Sequence, residues 1–191
     1  MWYCVTSSVG DLTYHEILAF WFSDSVCEHW FNATPALDSD INDRFFSVYQ
    51  DAVMGRFADW ENTADGCVAL VIVLDQFPLN MFRGKAESFA SEKMSRAVAN
   101  RAIEKGFDLA LDDQYKIFLY MPFMHSEDLR DQDSAVDLFM AAGLTENVTF
   151  AKHHRAIIKQ FGRFPHRNAA LGRSSTDVEQ TYLASGAAFL G

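Results

Sequence analysis

Apolar residues recur along this chain at helical spacing. Between Leu37 and Phe57, Ile41, Phe45, Val48 and Ala52 fall three or four positions apart, one face of an amphipathic helix. His15 to Phe22 (HEILAFWF) predicts a shorter apolar helix. The run DGCVALVIVLDQF is ambiguous, because Val68, Val71, Ile72 and Val73 are β-branched and suit a buried strand. Helical flanks and the lack of a second strand to pair with it favour a buried helix. GKAESFASEKMSRAVANRAIEKGFD predicts a helix with Phe89, Met94, Ala97, Val98 and Ile103 on one side and Gly106 as its stop.

Downstream, DDQYKIFLYM is expected to end at Pro122. Ser126 is a candidate cap for a helix with early acids Glu127 and Asp128 and a terminal Gly143. ENVTFAKHHRAIIKQFG stops at Gly162, and Thr176 with Glu179 forms a capping box ahead of VEQTYLASGAAFL. The sum is about eight helices and no convincing strand, an all-α fold in one domain, 1–191. QFPLNMFRG (76–84) and RFPHRNAALGR (163–173) echo each other: each follows an apolar helix, breaks at Phe-Pro and ends in Arg and Gly. A helical hairpin used twice would produce that echo, and repeated helical pairs stack into curved arrays.

Composition agrees with a globular chain: 49% of the 191 residues are hydrophobic, with 17 Phe and only four Pro. No window approaches 18 consecutive apolar residues and the N-terminus lacks a basic start before an apolar stretch, so neither a membrane span nor a secretory signal is expected. Cys4, Cys27 and Cys67 are odd in number and far apart, which favours reduced thiols and a cytoplasmic location. The formal charge of -10 argues against nucleic acid as the main partner. Oligomeric state is not readable.

One segment departs from the acidic whole. Between Asn147 and Thr176 there is no Asp or Glu, while Lys152, Arg155, Lys159, Arg163, Arg167 and Arg173 are basic and His153, His154 and His166 lie among them. Three readings stand side by side. The arginines could present forked guanidiniums to a carboxylate or phosphate, pair with internal acids such as Asp75, Glu127, Asp128 and Asp131, or form a solvated basic face. Interleaved Phe161, Phe164, Pro165 and Leu171 pull the charges inward.

The motifs LDQFPLNMFRG, FLYMPFMHSEDLRDQ and AKHHRAIIKQFGRFPHRNAALGRSST resemble, in order, those of the bacterial family catalogued as domain of unknown function 924, over roughly Ile17 to Phe189. The resemblance implies an all-α fold like tetratricopeptide helical arrays, with no established activity. The family more often has Arg where this chain has Leu79. Its AxxHxxII pattern falls on Ala151, His154, Ile157 and Ile158, so His154 is the matching histidine.

A small anionic ligand held where the segments 75–83, 125–132 and 154–173 meet is the leading expectation. Arg163, Arg167 and Arg173, with Arg83 and His166, would hold the anion. Asn80 and Asn168 would orient loops or ligand beside Asp75, and His125, Glu127 and His154 are candidates for proton transfer. No GxSxG, P-loop, GxGxxG or HExxH pattern is present, so no cofactor or metal is expected, although a dispersed metal site is conceivable. The alternative is a tetratricopeptide-like scaffold offering a groove to a peptide.

Overall fold

The computed structural model describes residues 12–185 and is all-α: no strand occurs among them. Its α-helical segments are α1 (Tyr14–Trp21), α2 (Asp24–Cys27), α3 (Pro35–Val53), α4 (Ala64–Val71), α5 (Phe77–Met81), α6 (Glu92–Glu104), α7 (Asp113–Met124), α8 (Leu129–Ala141), α9 (Thr145–Phe161) and α10 (Asp177–Ala184). A π-turn, Ile72–Gln76, joins α4 and α5 into one continuous rod, Ala64–Met81. The expected continuation of the last helix to Leu190 lies outside the described residues, as does Cys4.

The ambiguous run is therefore the central helix. Val68, Ala69, Val71, Ile72 and Val73 are all fully buried, and α1, α6 and α7 pack around α4. This rod is long and apolar enough to cross a membrane, yet 78% of it is buried inside the protein, as suits a core helix. Aromatic side chains fill the space around it. Trp21 packs edge-on against Phe118 with ring centroids 5.5 Å apart, and Phe45 stacks on Phe77 at 5.0 Å. Fully burying a side chain of this size contributes roughly 1.5–3 kcal/mol. Beyond α7, helices α8 and α9 pack each on its predecessor, and a small second apolar cluster forms from Ile157, Ile158 and Phe164 with Phe161 and Tyr182.

Several boundaries differ from the sequence expectation for local reasons. Helix α3 starts earlier, at Pro35, because Thr34 accepts the Leu37 amide at 3.2 Å, and it ends by Val53, where Gly55 takes φ +75°. The segment 84–91 is a 3-10 turn around Ala86–Phe89 rather than the start of α6. Pro122 does not end α7, which continues through it to Met124. Pro78 does not break its helix either, so the Phe-Pro echo joins unlike structures: a continuous rod at Pro78 and a 3-10 turn, Pro165–Arg167, at Pro165. Ser126 is not the cap of α8. Asp128 is, accepting the Arg130 amide at 2.8 Å, while the Ser126 hydroxyl donates to Asp131 at 2.5 Å.

Candidate functional site

Asp75 stands on the π-turn, and the turn has a chemical cause. Pro78 has no N–H to offer the Leu74 carbonyl four residues back, and its ring crowds that carbonyl. The chain widens instead, the Phe77 amide reaching the Ile72 carbonyl, and the Ser91 hydroxyl donates to the Leu74 carbonyl at 2.6 Å. π-turns inside helices often mark functional positions. Asp75 is only 2% exposed. Its Oδ2 accepts from Gln76 Nε2 at 2.6 Å and lies 2.9 Å from His125 Nδ1, while its buried Oδ1 has no hydrogen-bond partner.

His125 caps the C-terminus of α7, and its amide donates to the Met121 carbonyl. A buried carboxylate beside Nδ1 favours the tautomer protonated there, which leaves Nε2 as a proton acceptor. The side chain is 16% exposed, so one edge of the ring is reachable.

Glu92 and Arg167 complete the cluster from two other segments. Glu92 opens α6, and Arg167 closes the 3-10 turn after α9. Arg167 is 6% exposed, its guanidinium lying between the Phe89 and Phe164 rings at 4.5 and 4.6 Å. Its Nη1 is 2.9 Å from Glu92 Oε1, and its Nε has no partner. Burial pushes the Glu92 carboxyl up; Arg167 opposes that shift and the charge of Asp75 adds to it. Two acids thus share one site with one buried cation. Arg96 borders them, its Nε 3.1 Å from Asp131, the same carboxylate that takes the Ser126 hydroxyl.

The other arginines of the basic segment meet the protein's own acids. Arg173 forks onto Glu127 at 2.7 and 2.9 Å, and Glu127 also accepts the Phe164 amide at 2.7 Å. Burial raises the Glu127 carboxyl, but these donors together bring it below its ordinary value. Arg163 forks onto Glu179 at 2.6 and 2.8 Å and, with the Thr176 amide, holds that carboxyl at about 2. Asn168 links the two pairs: its Oδ1 accepts from Arg173 Nε at 3.0 Å, and its Nδ2 is 3.4 Å from Glu179. His154 and His166 flank Phe164, with ring centroids 5.6 and 5.4 Å away. Burial pushes both imidazoles down to about 4. For His166 the Arg167 charge adds to this, and for His154 the bond to the Phe150 carbonyl opposes it.

Asp75, His125 and Arg167 therefore share one cluster, and Glu127, Arg163, Asn168 and Arg173 form a second beside it. The charges of Arg167 from the first cluster and Glu127 from the second both act on His166. Asn80 sits one turn beyond the π-turn and donates to the Gln76 carbonyl at 2.9 Å. Arg83 turns to Asp38 on α3, 2.8 and 2.9 Å away, and belongs to the α3–α5 contact. Sequence reasoning missed Glu92, which reads along the chain as an ordinary first-turn acid. It also missed the Phe89 face. Two surface concavities of about 860 and 570 Å³ lie elsewhere, walled by α1–α3 residues such as Phe20 and Arg44 in the first and by Tyr14 and Trp60 in the second. Among the described residues no group of three or more His, Cys, Asp or Glu could hold a metal ion.

Comparison with known proteins agrees with this architecture. No curated protein gives a significant match. Among solved structures, ATU0120 of Agrobacterium tumefaciens, a protein of unknown function, superimposes with a TM-score of 0.84 at 37% identity. The match covers 89% of this chain and 96% of that one. The family described as bacterial protein of unknown function DUF924 matches residues 17–187. Nearly the whole chain falls within that match, and the chain belongs to the DUF924 family.

Proposed function

We propose that Asp75, His125, Glu92 and Arg167 form an acid/base site for a small carboxylate or phosphate. One observation carries the reading. A nearly inaccessible aspartate has two donors on one oxygen and none on the other, close to a buried arginine whose Nε is also unpartnered. A purely structural network would be expected to close such valences, as the Glu127–Arg173 pair does. Arg163 and Arg173 both commit Nε and their forks to the protein's own groups, whereas Arg167, paired with Glu92 through Nη1, keeps Nε unpartnered, so anion recognition is assigned to Arg167. Asp75 fixes the His125 ring, and His125 Nε2 takes or returns the proton. Glu92, whose carboxyl burial pushes up against the opposing charge of Arg167, is assigned the role of proton donor.

Thermal denaturation of the wild-type protein against a panel of carboxylates and phosphates tests this. A true ligand at a hundredfold excess over Kd stabilises by about 2.7 kcal/mol, a Tm rise of several degrees. Arg167→Lys, which keeps the charge and loses the fork, should abolish most of the rise, whereas replacing the exposed Arg130 by Gln should not. The proposal fails if no member of the panel stabilises the wild type, or if Arg167→Lys responds as the wild type does.

A further inference from the structure

Unpartnered buried polar atoms are few in folded proteins, and where they gather they outline what a ligand must supply. Among the described residues most of them lie on the segments that build the site, with Trp21 Nε1 and His29 Nδ1 elsewhere. Asp75 Oδ1 and Gln132 Oε1 are acceptors without hydrogen-bond donors, and Arg167 Nε is a donor without an acceptor. Arg96 Nη1 and Glu92 Oε1 also lack hydrogen bonds, but each sits in an ion pair, 3.9 Å from Glu92 Oε2 and 2.9 Å from Arg167 Nη1 respectively. Gln132 is 0% exposed, and its amide nitrogen is used by the Met124 and Ser126 carbonyls at 2.6 and 2.7 Å, so its orientation is fixed and the oxygen is the end left over. Ser95 Oγ and His166 Nδ1 can serve in either sense. These segments are tied together: Arg96 pairs with Asp131, the neighbour of Gln132, and Glu92 joins α6 to Arg167.

Both signs of hydrogen-bonding group are thus left open. A bare carboxylate or phosphate would answer the guanidiniums, but it would meet Asp75 Oδ1 as a second anion and leave Gln132 Oε1 unanswered. We infer that the ligand carries a hydrogen-bond donor, a hydroxyl or an ammonium group, next to its acidic group, as in a hydroxy acid, an amino acid or a polyol phosphate. Its acid would take Arg167 and its donor would take Asp75. This rests on the acid/base reading above and narrows it to a substrate class.

Matched pairs test it on the unaltered protein, by calorimetry or thermal shift: glycolate against acetate, L-lactate against propionate, glycerol 3-phosphate against methyl phosphate. The donor-bearing member of at least one pair should bind about tenfold tighter or more, since a buried acceptor left unanswered penalises the analogue that lacks the group. Asp75→Asn, which keeps the shape and offers an amide, should shrink that ratio toward one. Equal binding within every pair overturns the inference and leaves the anion site standing. Binding by no member of any pair overturns both. A preference that survives Asp75→Asn unchanged overturns the assignment of the donor to Asp75.

Discussion

Glu127 and Asp75 are both carboxylates in the same polar region, and their surroundings give them different work. Each oxygen of Glu127 has a donor: Arg173 spans both, and the Phe164 amide adds a third bond. A carboxylate held on both oxygens in this way fixes geometry. It ties the 3-10 turn that carries Arg167 to the start of α8. Arg173→Met would remove the fork and leave Glu127 with the Phe164 amide alone. Because both side chains are about a quarter exposed, the cost should be below that of a fully buried pair, about 1–2 kcal/mol. Adding Glu127→Gln to Arg173→Met should recover part of the loss, because the unpaired charge is then gone. Urea denaturation midpoints of the two single variants and the double measure the coupling, and strictly additive losses would mean that the pair does not act as a unit. Asp75 is the contrast, buried more deeply and satisfied on one oxygen only.

At the scale of the element, the π-turn decides where Asp75 points, and Ser91 keeps the turn satisfied. Ser91→Ala strands the Leu74 carbonyl in the core and should cost about 1–3 kcal/mol. In a Pro78→Ala background the chain regains an amide able to serve that carbonyl, so the same change should cost less. If Ser91→Ala is equally costly in both backgrounds, proline is not what opened the turn. The helical identity of this rod was legible along the chain, from its helical neighbours and from the lack of a second strand to pair with it. The π-turn was not, because residues 67–74 are buried on every side and offer no apolar stripe against which a one-residue insertion would show. Pro78 and Pro122 were misleading for a related reason. A proline removes one amide and crowds one carbonyl, and tertiary contacts can absorb that loss where an isolated helix could not. Ser126 and Asp128 are equally good caps by residue type, and Asp131, in the first turn of α8, takes the Ser126 hydroxyl while Asp128 caps the helix.

Across the whole molecule, the polar clusters lie where the main apolar core meets the small cluster around Ile157, Ile158 and Phe164. The chain showed which segments carry the polar residues, because charge and aromatic residues alternate there. It could not show which acid each arginine meets, since Glu92 and Glu179 are first-turn acids like many others until α6 and α10 are docked. Docking has also buried two imidazoles, and this sets how stability depends on pH. An unfolded chain protonates His154 and His166 near pH 6.5, whereas the folded protein resists protonation at both until about pH 4. Between those values the unfolded state holds more protons, so stability falls as pH falls and the contribution is intact only above pH 6.5. The Glu179 carboxyl, held at about 2, adds to the loss below its ordinary 4.5. Glu92 works in the opposite sense, because its raised value lets the folded state keep a proton that the unfolded chain gives up. The two histidines alone should account for a loss of about 2–4 kcal/mol between pH 7.0 and 4.5, which Glu92 offsets in part. Urea unfolding at pH 7.0, 5.5 and 4.5 measures it. His154→Gln and His166→Gln should each flatten the slope over that interval, and a wild-type stability that stays level from pH 7.0 to 4.5 would mean that neither imidazole is held neutral by burial.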